Sequence, residues 1–178
     1  MSFITLCSLL SGKLILGIGG FRYVENLRTY LHDHLAGAQF ATSLLADVAA
    51  QEFDVDIAKF AGNLLGEIEE DKHVVEGILA RLDATKSVLK EASAWISQKL
   101  GRTKLQIGSD PFSIFEALEV LSIGIQGKLA LWRALEEIAS EEDALQSQDF
   151  STLAERASEQ YARVERQRIA YARSLIDV

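Results

Sequence analysis

The chain is poor in the residues that break helices, cross-link chains or hold soft metals. It has one cysteine, Cys7, one proline, Pro111, and three histidines among 178 residues. A single cysteine excludes an intrachain disulfide and a thiolate metal cluster, and it suits a reducing, cytoplasmic setting. A single proline leaves long stretches with nothing to interrupt a helix. Basic residues are also scarce: the net charge is −8. That argues against nucleic acid and against anionic membrane surfaces, since both need a basic patch.

What the chain does contain is apolar and helix-favouring. Hydrophobic residues make up 48% of it, and Ala, Leu, Glu and Arg dominate without runs of β-branched residues. An all-α domain follows. The longest apolar stretch with helical spacing is 112–139. On a helical wheel Ile114, Leu118, Leu121, Ile125, Leu129 and Trp132 form one stripe. Val120, Ile123, Gly127, Leu131, Ala134 and Ile138 form a second, roughly opposite. The first stripe is expected to face the domain core. The second needs a neighbouring helix or a second copy, which predicts a homodimer through helix 112–139. Ser109-Asp110-Pro111 supplies the start signal. Gly124 and Gly127 lie inside this helix at about 1 kcal/mol each relative to Ala, which predicts close approach by a neighbouring backbone.

Residues 1–23 form an apolar extension interrupted by Lys13 and several glycines. It lacks the basic start and cleavage site of a signal peptide, and a charge near its centre disfavours a membrane span. The working domain is expected over 24–178, with Val24 as an alternative start. Helices are predicted over 24–51, 56–82 with Asp56 as cap, 84–100, 112–139 and 150–176. Ser140 to Gln148 reads as a solvated acidic connection. The inward stripe of the second helix is Ile57, Ala61, Leu64, Ile68, Asp71, Val75, Ile78 and Leu82. That of the last is Leu153, Ala157, Gln160, Val164, Tyr171 and Leu175.

Four polar residues sit where these stripes call for apolar ones: His34, Asp71, Lys128 and Gln160. A lone charge in a core costs several kcal/mol unless paired, so the four are expected to meet. At about 1.5 Å per residue from the turn near 52–55, His34 and Asp71 lie about 27 and 22 Å along the bundle. Lys128 and Gln160 reach about 24 and 25 Å if residues 83–111 cross the bundle lengthwise, against about 16 and 15 Å in a simple up-and-down bundle. The crossover therefore brings all four into one layer, either a register-fixing network, a small-molecule or ion site, or a metal site, with Glu165 and Arg168 as outer members.

A helical pair, a long crossover containing an extra helix and a second pair is the ferritin-like arrangement. The phrases YLHDHLAGA (30–38), EIEED (67–71), GKLALWRAL (127–135) and ERASEQYARVERQR (155–168) resemble those of uncharacterised bacterial ferritin-like four-helix-bundle proteins lacking a complete di-iron ligand set. The resemblance spans about 24–176 and implies a four-helix bundle without an assigned activity. Ferritin-like di-iron centres use a glutamate from each of two helices and a Glu-x-x-His from each of the other two. Here Glu70 and His73 match once, on a face turned from the core, and Arg168 stands where the second histidine would be. No cofactor is expected on this reading; the alternative is an Fe or Mn oxidase or peroxide-handling enzyme with Glu70 and His73 among its ligands. The GIGG at Gly17 to Gly20 lacks a dinucleotide fingerprint's spacing, and the Gly-Lys at 127–128 lacks the rest of a phosphate loop.

Overall fold

The computed structural model describes residues 8–84, 108 and 110–176, with side chains over 24–83, 108 and 110–176. Four α-helices follow one another: α1 (Ser8–Ala49), α2 (Val55–Ala84), α3 (Pro111–Ile138) and α4 (Phe150–Ala170), and a 3-10 turn (Ala172–Leu175) closes the chain. There are no strands among the described residues. The chain is thus all-α, with four described helices. The expected helix over 84–100 lies outside the described residues. Among the described residues no helix is long and apolar enough to cross a membrane.

α1 begins at Ser8 rather than near Val24. No proline separates the apolar extension from the amphipathic part, so nothing ends the helix there. At the α1–α2 turn the cap is Asp54, not Asp56: Asp54 Oδ1 accepts from the Asp56 and Ile57 backbone N–H groups, each at 3.0 Å. A cap must precede the first free N–H groups, and Asp56 already lies inside α2, where its charge still suits the helix dipole. α3 starts as the sequence indicates. Asp110 accepts from the Ser113 N–H at 3.0 Å, with Pro111 in the first turn. Asp149 caps α4 in the same way through Thr152.

Two apolar cores show how the helices run. One gathers Leu31 of α1, Ile78 of α2, Trp132 and Leu135 of α3 and Ala157 of α4. The other gathers Leu45, Ile57, Ile114, Leu118 and Val164. The start of α3 therefore lies beside the end of α1 and the start of α2. α1 and α4 run one way, and α2 and α3 run the other. The end of α2 and the start of α3 therefore lie at opposite ends of the bundle, as expected for the lengthwise crossover. α1 packs on α2 and α3, and α4 packs on α3 and α2. Burying a large aliphatic side chain contributes about 1.5–3 kcal/mol, and the first stripe of α3 is buried throughout.

Three expectations change. Leu175 was expected inward but is 56% exposed. α4 has reached the end of the bundle by Ala170 and tightens into the 3-10 turn, so no core remains for Leu175 to face. The connection 140–148 is not simply solvated: Ala144 and Leu145 are buried, and Arg81 Nε donates to the Ala144 carbonyl at 2.8 Å. The second stripe of α3 is uneven. Leu131 is buried, Val120 and Ile138 are half-buried, and Ile123 is 66% exposed.

Candidate functional site

Between the two apolar cores lies a polar layer. On α2 it falls between Ile68 and Val75, on α3 between Ile125 and Leu129, and on α4 between Ala157 and Val164. The side chains there are Asp71, Lys128 and Gln160. Asp71 is 2% exposed and Gln160 is fully buried. The Lys128 ammonium donates to Asp71 Oδ2 and to Gln160 Oε1. The Gln160 amide nitrogen donates in turn to Glu67 Oε2 at 3.1 Å and Asp71 Oδ2 at 3.4 Å.

Two arginines complete the layer from α4. Arg156 donates one guanidinium nitrogen to Asp71 Oδ1 and another to Glu70 Oε2, the latter at 3.1 Å. Arg163 grips Glu67 with both Nη groups. A fork of this kind fits a carboxylate in two places at once. These partners were absent from the sequence reading, although the spacing pointed to them. Arg156 lies four residues before Gln160, and Glu67 four before Asp71, so each pair shares a helix face.

Burial pushes the Lys128 ammonium below its ordinary range, and the Asp71 carboxylate opposes that shift. Glu67 is held below the ordinary carboxylate range, first by its hydrogen bond from Arg163 and further by Gln160. An ammonium has three hydrogens to donate. Asp71 and Gln160 take two, so one is left without a partner among the described residues.

That hydrogen has a place to go. A cavity of about 230 Å³ lies between α1, α2 and α3, with Lys128 and Asp71 in its wall. Its α1 side is built from small residues, Gly37, Ala38 and Ala41, and its α3 side includes Gly124 and Gly127. Gly37, Gly124 and Asp33 are exposed and mark where it meets solvent. The expectation of close backbone approach at Gly124 and Gly127 is not met. A Cβ built at either, or at Gly37, would touch nothing within 4 Å. These glycines give up about 1 kcal/mol each of helix stability relative to Ala with no neighbour that requires them. What they provide is space.

His34 lines the same cavity from α1, away from the other three. It stands edge-on to Tyr30, with ring centroids 4.7 Å apart. Burial lowers its pKa, against the pull of Asp33, which favours the neutral imidazole. So Asp71, Lys128 and Gln160 meet directly, and the cavity separates His34 from them. Trp132 forms another part of the wall, and its indole N–H is buried without an acceptor among the described residues. Such an orphan costs about 1–3 kcal/mol. Glu165 and Arg168 stand apart from the layer. They pair with each other, Arg168 also reaches Glu119 at 3.3 Å, and its guanidinium lies over the Phe115 ring in the other half of the bundle.

The layer does not fit a di-iron centre. Its carboxylates, Asp71 and Glu67, are already taken by Lys128, Arg156 and Arg163. The Glu70 and His73 side chains are 70% and 71% exposed, and Glu70 is paired with Arg156. Among the described residues no three His, Cys, Asp or Glu side chains gather as a metal ion would require. Comparison of the chain with protein-family models, with curated proteins and with solved structures finds no match in any of the three.

Proposed function

We propose that this chain is a metal-free, non-enzymatic bundle of ferritin-like type that binds a small molecule in the cavity between α1, α2 and α3. The parallel course of α2 and α3, and the phrases quoted above, support the ferritin-like part. The observation that carries the binding part is the cavity itself. Glycines leave it open where alanine would fit, and it meets a half-buried lysine with one N–H to spare. A dry apolar cavity of about 150 Å³ suffices to hold benzene, so this one has room for more. The ligand would lie between His34 on one wall and Lys128 on the other, joining the fourth polar residue to the layer.

The test is a fragment screen followed by thermal shift, with Gly127→Leu as the filled variant. Binding by the unaltered chain that the variant loses supports the site. Binding that survives the filling places it elsewhere and ends the proposal. Metal analysis of protein purified without chelator addresses the alternative enzyme: near-stoichiometric Fe or Mn would replace this reading with it.

Self-association is a second reading, favoured by the exposure of Ile123 on α3. Light scattering tests it, and a strict monomer at high concentration would remove it.

A further inference from the structure

The charges around the cavity are balanced, and that bears on what it can hold. Asp33, Asp71, Lys72 and Lys128 line it, two acids and two bases. Behind them Arg156 and Arg163 face Glu70 and Glu67. Cations and carboxylates are equal in number, so a charged ligand meets no surplus of the opposite sign. A charged ligand would add an uncompensated charge beside a half-buried layer, which is strongly disfavoured. A neutral one would not.

The hydrogen bonds on offer point the same way. In the cavity wall the third Lys128 hydrogen has no partner among the described residues; the Trp132 indole N–H is sealed behind the wall. An ammonium can only donate, so a ligand group that meets Lys128 must bring an acceptor. Apart from His34, the rest of the wall is Ile68, Val75, Leu121, Ile125, Leu131 and small residues, which asks for an apolar body.

We infer that the cavity takes an uncharged, mostly apolar carbonyl compound, such as a small ketone, ester or amide, with its carbonyl oxygen on the Lys128 ammonium and its apolar body against the Trp132 ring. Scaled from benzene, it holds about nine heavy atoms. The inference rests on the binding reading above and adds the chemical class.

Three probes of similar size separate the cases: acetophenone, benzoate and benzylamine. Each is titrated into the full chain labelled with ¹⁵N. The readout is the Trp132 indole cross-peak, assigned by its loss in Trp132→Phe. Acetophenone is expected to shift that peak saturably at millimolar concentration, with benzoate and benzylamine at least about tenfold weaker, or 1.4 kcal/mol. Gly127→Leu, and independently Gly37→Leu from the opposite wall, should abolish the shift while the helical circular dichroism is kept. Equal or tighter binding of benzoate or benzylamine overturns the neutral-ligand inference and leaves the site standing. No shift with any of the three, or a shift that survives in whichever filled variant folds, overturns the site as well.

Discussion

Lys128 and Arg156 hold the two oxygens of one carboxylate: Lys128, from α3, donates to Asp71 Oδ2, and Arg156, from α4, to Oδ1. The two cations are not equally dependent on it. Arg156 also has Glu70 and is about one-third exposed, whereas the Lys128 side chain is only 13% exposed.

That asymmetry ranks the substitutions. Asp71→Leu leaves Lys128 buried with only an amide for company and should cost about 3–5 kcal/mol. Lys128→Met leaves Asp71 with Arg156 still in place and should cost less, about 1–3 kcal/mol. Adding Lys128→Met to Asp71→Leu should recover much of the larger loss, because Arg156 can rely on Glu70 and water. Urea denaturation of the three variants checks the order. Strictly additive losses would show that Asp71 and Lys128 do not interact.

The cavity glycines should behave in the opposite sense. Alanine at Gly124 or Gly127 meets no atom within 4 Å and removes backbone freedom from the unfolded chain. Each change should stabilise the fold by about 0.5–1 kcal/mol, read as a raised Tm. A loss of stability at either position would mean that the space is already filled.

Acid should loosen α2 from α4 through Glu67. Its folded pKa lies below the ordinary 4.5, so the pair with Arg163 contributes stability that is present above about pH 4.5. That contribution is lost as the pH falls through the folded value. Both side chains are about one-third exposed, so solvent screening limits the effect to about 1 kcal/mol or less. Glu67→Gln should flatten this part of the stability-versus-pH curve, and added salt should shrink the difference.

A second titration lies at the alkaline end. The Tyr171 hydroxyl donates to Asp54 Oδ2, and burial, followed by that carboxylate, raises the tyrosine pKa above its ordinary value of 10.0. Stability from this group is present below pH 10 and declines as the pH rises beyond it, once the unfolded chain can ionise and the folded one cannot. Tyr171→Phe should cost about 1 kcal/mol at neutral pH and lose that alkaline decline. Denaturation midpoints at pH 8 and 10.5 would show it.

Much of the layer could be read from spacing alone, because Asp71 and Gln160 occupy slots where every neighbour on the stripe is apolar. The same logic overlooked Arg156, Arg163 and Glu67. Each lies at the edge of its stripe, where a charged residue looks solvated until the facing helix is known. His34 was placed at the right height but not in contact, since a wheel gives direction and says nothing about the gap between α1 and α3. The cavity was illegible for a related reason. Glycine in a helix is equally consistent with a neighbour pressed close and with one held away, and the sequence has no sign for the second. Asp54 was passed over as a cap because Asp56 stands nearer the apolar run.

The split layer also bears on how the molecule assembles. α1 and α2 meet across the turn at 50–54, and α3 and α4 across the longer connection 139–149, so each hairpin can close locally. Asp71 belongs to the first hairpin, whereas Lys128, Arg156 and Gln160 belong to the second. Sliding one hairpin by a single turn against the other would set a carboxylate against leucine and an amine against isoleucine. The greasy surfaces alone would tolerate that slip; the charges act as a key that admits one alignment.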